Sequence, residues 1–233
     1  MEVTIAFIGT RRYFSFFPKF YASCMELLLV NCDRKFLVFT DARSTEWPSN
    51  CTVYPTEHQP WPLMTLKRFE ILLKAEQEIR RTDRFVYLDA DMLVTASVTE
   101  ADLFNSTRPL FGVQHPAYCG TSAGTFESNR RSRAYVPADA DRSTYWQGCL
   151  WGGVPEFVIS MLKALCSSVQ QDLADGVIAV WWDESHLNKF FVDNRHLVNT
   201  LSPDFAFPAC QPNLAFERKI VHLEKNDSEY WFA

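Results

Sequence analysis

The stretch Phe85-Val86-Tyr87-Leu88-Asp89-Ala90-Asp91-Met92-Leu93 decides how this chain is read. Four β-forming apolar residues run straight into two carboxylates spaced two apart. In extended backbone, residues i and i+2 point to the same side. The spacing therefore predicts that Asp89 and Asp91 present hard oxygen ligands in one direction, at the mouth of a buried strand. Two like charges side by side are costly to bury without a cation. A divalent metal held by two carboxylates removes that cost and keeps positions open for phosphate oxygens. A strand end finished by two solvated aspartates is the plainer reading of the same residues. Asp-x-Asp alone does not separate the two.

Around this strand the first ~95 residues alternate between strand and helix signals. Residues 3–8 read as a buried strand, followed by a polar turn at Gly9-Thr10-Arg11-Arg12. Residues 14–30 have helical apolar spacing with Pro18 near the first turn, where proline is tolerated. Residues 35–40 and 51–54 are strands, the second stopped by Pro55. Residues 65–81 read as one amphipathic helix entered through Trp61-Pro62. Such alternation predicts an α/β sheet with ligand at the strand C-termini, where the two aspartates stand.

The second half differs. Residues 114–141 are polar, and Arg130, Arg131 and Arg133 fit a solvated loop better than an anion site. Three of the eight glycines, Gly148, Gly152 and Gly153, lie within six residues, so backbone approaches something closely there. Residues 155–174 are a helix candidate, and the segment after Pro203 is irregular.

Bulk properties exclude several function classes. With 47% apolar residues, the 233-residue chain supports a sizeable core. A net charge of −5 gives no basic footprint for nucleic acid. Seven irregularly spaced cysteines with no Cys-x-x-Cys predict reduced thiols in a cytosol. No stretch is apolar and long enough to span a bilayer, and the N-terminus reads as a strand, so no membrane anchor is expected. P-loop, dinucleotide-binding and nucleophile-elbow motifs are absent.

A second acidic pair follows two tryptophans, in Val180-Trp181-Trp182-Asp183-Glu184-Ser185-His186-Leu187-Asn188-Lys189. Aromatic faces beside carboxylates hold sugars, and a carboxylate there can act at an anomeric carbon. The same acids also suit the N-terminus of a helix starting at Asp183 or Ser185 and running to residue 192. Both readings stay open. His186 has no second ligand at metal spacing and is expected to be structural.

Several segments together resemble family 6 glycosyltransferases, which include the histo-blood group A and B transferases and α-1,3-galactosyltransferase. They are His115-Pro116, Ala134-Tyr135-Val136-Pro137, Tyr145 to Gly153 and Trp181 to Lys189, with Leu201-Ser202-Pro203 and Thr65-Leu66-Lys67-Arg68-Phe69. The resemblance covers nearly the whole chain, in order, and is closest to the short bacterial members. It implies one catalytic domain of the GT-A fold over 1–233. A Rossmann-like UDP-sugar-binding half (about 1–112) would merge with an acceptor-binding half and C-terminal tail (about 113–233). It implies retaining transfer of galactose or N-acetylgalactosamine from a UDP-sugar to O3 of a galactoside, forming an α-1,3 bond.

Carried over by position, Asp89 and Asp91 are the expected metal ligands, for manganese or alternatively magnesium. UDP is expected at Ile8, Gly9, Thr10, Tyr13, Arg68, Asp89, Ala90 and Lys225, the last on a tail that closes as a lid. The donor sugar is expected at Arg68, Gln147, Cys149 and Asp183, and the acceptor at His115, Trp181 and Glu184. Glu184 matches the carboxylate proposed as nucleophile or as stabiliser of an oxocarbenium-like transition state. Many short bacterial relatives replace Asp-x-Asp by Asn-x-Asn; this chain keeps both aspartates, which predicts metal dependence. Trp182 stands where histidine is usual, and no second basic lid residue follows Lys225. Cys149 is larger than the glycine that leaves room for an acetamido group, which favours UDP-galactose. The expectations are thus a glycan acceptor, no nucleic-acid partner, and a cytoplasmic enzyme of bacterial or phage type. UDP-GalNAc or UDP-GlcNAc as donor with slow hydrolysis, and a catalytically silent UDP-sugar-binding module, are the rival readings.

Overall fold

Strand β1 (Glu2–Ile8) lies inside the main sheet, and its alternation feeds the two cores. The structure is a computed structural model that describes residues 1–43, 46–104, 107–121, 124–211 and 213–225. Val3, Ile5 and Phe7 enter one apolar cluster, while Ala6 enters the other on the opposite face. A 3-10 turn (Arg11–Phe16) leads into α1 (Phe17–Leu27), so the single helix predicted over 14–30 is divided. Phe17, Phe20 and Cys24 recur at helical spacing and pack on the Phe7 face. Strands β2 (Asp33–Thr40) and β3 (Cys51–Pro55) follow.

The helix predicted over 65–81 is three short ones: α2 (Leu63–Leu66), α3 (Arg68–Leu73) and α4 (Glu76–Arg80). Lys67 (ψ 3°) and Ala75 (ψ 24°) leave the helical region and re-aim each successive piece. As a result Arg68, Phe69, Ile71 and Leu72 of α3 are all buried, which one straight amphipathic helix does not achieve. Strand β4 (Arg84–Leu88) ends just before the aspartates, and Met92 N donates to Asp89 O to close a turn into β5 (Met92–Val94).

After α5 (Glu100–Leu103) come β6 (Leu110–Gln114) and β7 (Trp146–Gly153). Helix α6 (Pro155–Ala174) coincides with the predicted span, and α7 (Trp182–Asp193) follows it. The segment after Pro203, expected to be irregular, contains β9 (Phe207–Pro208) and β10 (Ile220–His222), beyond β8 (Val198–Leu201). Strands of two and three residues carry too little periodicity to be seen in sequence.

The main sheet has order β3-β2-β1-β4-β7-β6-β8. Its β3, β2, β1 and β4 are parallel, and β7 runs antiparallel to both its neighbours. The chain leaves β1 toward β2 on one side and reaches β4 on the other. Such a switch point opens a crevice at the strand C-termini. β7 lies close against β4 and β6: a Cβ at Gly152 would stand 2.1 Å from Phe85 O, and one at Gly153 2.1 Å from Pro109 O. A small second sheet, β5-β10-β9, returns the tail to the residues just after Asp91.

The polar segment 114–141 is tied down by charge. Arg133 reaches Asp175 (3.2 Å) and Gln171 (3.1 Å), and Arg130 lies over Tyr135, so the three arginines do not converge on an anion site. All seven cysteines are free thiols. Among the described residues no helix is long and apolar enough to cross a membrane.

Candidate active site

A cavity of about 730 Å³ opens at the C-terminal ends of β1 and β4. Ile8, Thr10 and Tyr13 form its β1 side; Asp89, Ala90 and Asp91 form its β4 side; Arg68 and Lys225 also line it. Gly9 lies behind the wall, where a Cβ would meet the Phe7 ring at 2.5 Å. Its N–H is donated to Phe39 O.

The two aspartates sit in a turn, not in extended strand, and they have different partners. Asp89 follows Tyr87 by two and turns to the same face, where the Tyr87 hydroxyl donates to its Oδ1 at 2.7 Å. Arg68 lies over the Tyr87 ring and pairs with Asp89 at 3.1 Å. Asp91, 2% exposed, pairs through Oδ2 with Lys225 Nζ at 2.5 Å and His222 Nε2 at 3.1 Å. Burial pushes its pKa up, but His222 and Lys225 push harder and hold the carboxyl well below the usual range. The predicted common direction is therefore reduced to a common cavity. The donor set still fits a divalent cation: both side chains are hard oxygen ligands, and Asp91 already holds an ammonium. Among the described residues no cluster of three His, Cys, Asp or Glu forms an all-protein metal site.

Arg68 joins this end of the cavity to the second acidic pair. Its Nε lies 3.0 Å from Asp183 Oδ2, and it donates to Gly148 O at 3.0 Å. Burial opposes its charge, yet Asp183 and Asp89 outweigh burial and raise its pKa. Asp183 and Glu184 open α7, so the helix-start and active-site readings describe the same place. That start is fixed from both sides. Ser185 Oγ accepts from Trp181 N (2.9 Å), and buried Glu127 accepts from Val180 N (2.7 Å). Trp182 sits at φ 47°, a left-handed conformation that a tryptophan adopts only under tertiary constraint.

Glu184 Oε2 accepts from Gly148 N at 2.8 Å, with the Tyr145 phenol beside it. Burial lifts the Glu184 carboxyl to about 7 and Asp183 to about 6, against the pull of Arg68 on the latter. A carboxylate poised near neutrality beside an ion-paired one is a pattern of acid–base and nucleophile sites.

The remaining expected residues divide. Gln147 Nε2 lies 3.3 Å from His222 Nδ1, and Gln147 Oε1 is buried without a partner. The Cys149 thiol is 1% exposed and belongs to the apolar cluster of Leu88, Phe111 and Val113; burial first, then Asp89 and Glu184, raise its pKa. The His115 ring lies tilted against Tyr118, 4.9 Å between centroids, and its pKa is lowered to about 4, first by burial and then by His222. Trp181 is exposed, while Trp182 meets Trp61, a cavity residue, edge-on at 4.5 Å between ring centroids.

Compared with known sequences, residues 1–230 match the profile of glycosyltransferase family 6. The chain belongs to glycosyltransferase family 6. This family 6 enzyme is 28% identical to the O-antigen biosynthesis glycosyltransferase WbnI of Escherichia coli, over 100% of the chain and 98% of that protein. It is 27% identical to histo-blood group ABO system transferase 2 of Rattus norvegicus, over 96% of the chain and 70% of that protein. It is 28% identical to globoside alpha-1,3-N-acetylgalactosaminyltransferase 1 of Gallus gallus, over 69% of the chain and 46% of that protein. The α/β architecture is that of a GT-A enzyme, and the protein is a UDP-sugar hexosyltransferase.

Sequence reasoning about the family 6 enzyme missed Tyr87, His58, Tyr145 and His222. Tyr87 was within reach, because i−2 from Asp89 shares its face. His58 binds Thr10 (2.9 Å) and His222 binds Asp91 from 131 residues away; no local pattern announces either.

Proposed function

We propose that this enzyme transfers galactose from UDP-galactose to O3 of a galactoside, with retention, forming an α-1,3 linkage, and that it needs a divalent cation, manganese first. The observation that carries this reading is Arg68, which binds Asp89 and Asp183 at once and so ties the diphosphate end of the cavity to the sugar end. Asp89 and Asp91 would hold the cation, which when bound offsets the charge building on the departing UDP. Lys225 and Arg68 bring fixed positive charge to the same end. Glu184, held by the Gly148 N–H, would face the anomeric carbon as nucleophile or as the anion that stabilises its positive charge. Asp183, held by Arg68, would take sugar hydroxyls, and Trp181 with His115 would receive the acceptor.

A second donor, UDP-GalNAc, is favoured by one observation: the globoside relative carries N-acetylgalactosaminyltransferase in its name. The test is UDP release from UDP-Gal, UDP-GalNAc, UDP-Glc and UDP-GlcNAc, with galactoside acceptors, in manganese or EDTA. Metal-dependent release from one donor is expected, and Asp91→Asn should abolish the manganese stimulation. UDP binding with no release from any donor would establish a silent binding module instead, and full activity in EDTA would remove the metal role.

A further inference from the structure

His222 stands on β10 and reaches two functional positions of the fold at once. Its backbone is held on two sides: it pairs with Met92 of β5, and its carbonyl accepts from Ala209 N. The next residue, Leu223, donates its N–H to Asp91 O. From this fixed base Nε2 lies 3.1 Å from Asp91 Oδ2, and Nδ1 lies 3.3 Å from Gln147 Nε2. In the neutral imidazole, Nε2–H donates to Asp91 and Nδ1 accepts from the Gln147 amide nitrogen, so one tautomer satisfies both contacts.

The other end of that amide is the second observation. Gln147 Oε1 is buried and has no hydrogen-bond partner. A buried acceptor left unpaired is costly, and such a group in a native site calls for a ligand or another explanation. Its place on β7 points to the ligand. The adjoining Gly148 N–H holds Glu184, and the Cys149 carbonyl takes the Asp89 N–H. Gln147 thus lies on the strand that links the nucleotide end of the site to the Glu184 end.

We propose that His222 is a positioning residue for donor choice: it holds the Gln147 amide so that Oε1 accepts a hydrogen bond from an N–H or O–H group of the donor hexose. The inference rests on the UDP-hexose reading above and adds to it a specificity residue supplied by the tail. Without the imidazole the amide is free to turn, and discrimination between hexoses that differ in that group weakens.

The experiment is calorimetric binding of UDP, UDP-Gal and UDP-GalNAc to the full chain, in manganese and in EDTA, so that no turnover is needed. The variants are His222→Phe, Gln147→Leu, the double substitution, and His222→Gln, whose amide can rebuild both contacts. Thermal melting checks that each variant is folded. His222→Phe and Gln147→Leu are each expected to move the ratio of the two UDP-sugar affinities about tenfold, the scale of one desolvated hydrogen bond. UDP affinity itself should change less than about threefold. The double variant should move the ratio no further than either single one, and His222→Gln should recover most of it. Additive shifts would overturn the proposal. So would an unchanged ratio with UDP affinity lost only in manganese, which would assign His222 to the metal instead. Wild-type protein that binds UDP but neither sugar nucleotide would refute the UDP-hexose reading before any variant is compared.

Discussion

Arg68, only 9% exposed, balances the charge of the site by serving Asp89, Asp183 and the Gly148 carbonyl. Removing it strands two carboxylates, one of them buried, so Arg68→Leu should lower the urea-derived stability by about 3–5 kcal/mol. A loss below about 1 kcal/mol would mean that water replaces the guanidinium. Glu184 makes a different prediction. Its pKa of about 7 means that the carboxylate form is lost as pH falls through neutrality. The kcat/KM for the sugar nucleotide should therefore decline about tenfold per pH unit below that point. Glu184→Gln should cut turnover by about 10³ or more while leaving UDP affinity within about threefold. Equal loss of both would make Glu184 a helix-start residue only. At this scale the sequence was informative where chemistry is local: Asp89 and Asp91 by spacing, Asp183 and Glu184 by their tryptophan neighbours.

Helices and strands were legible where their period was long and regular. Helix α6, with 20 residues and proline in its first turn, coincides with its predicted span. The helix expected over 65–81 failed because its breaks at Lys67 and Ala75 carry no proline or glycine. Tertiary packing of α3 sets them, and propensity is a weak prior against packing. The glycines of β7 were flagged as close approaches, and the structure gives the reason. Gly152→Ala would place a methyl 2.1 Å from the Phe85 carbonyl, in the pair that joins β4 to β7. We expect a stability loss of about 3 kcal/mol or more, seen as a lower urea midpoint or insoluble protein. An unchanged midpoint would show that the two strands can separate at no cost.

Across the whole molecule, the topology places the cavity at the switch between β2 and β4 on either side of β1. The alternation of strands and helices in the first ~95 residues already implied that location. The tail contacts were not legible, since β10 reaches Asp91 only in the folded chain; the expected lid beyond Lys225 lies outside the described residues. Distant segments are also joined by a buried polar knot. His186 is 1% exposed, bonds Ser168 at 2.8 Å and stands 3.6 Å from Asp172 Oδ2. Burial holds its pKa below the ordinary 6.5. The unfolded chain therefore binds the extra proton first, and stability falls as pH drops below 6.5. One such proton contributes a slope of at most about 1.4 kcal/mol per pH unit. The raised Asp183 and Glu184 slope the opposite way in an overlapping range, so the informative comparison is with His186→Gln. That variant should lose the acid-side slope of urea stability between pH 6.5 and 5, and an identical slope would mean that His186 is not buried neutral.

The edge-on meeting of Trp61 with Trp182 has an optical consequence. One ring of the pair lines the cavity, and the other stands next to Asp183. Trp146 and Trp151, by contrast, are sealed in the core at 0% exposure. A sugar nucleotide entering the cavity changes the polarity around an indole without disturbing the sealed ones. The chain thus carries its own fluorophore at the binding site. Emission titrations, with Trp61→Phe as the silent reference, would follow ligand arrival in unlabelled protein on the stopped-flow timescale.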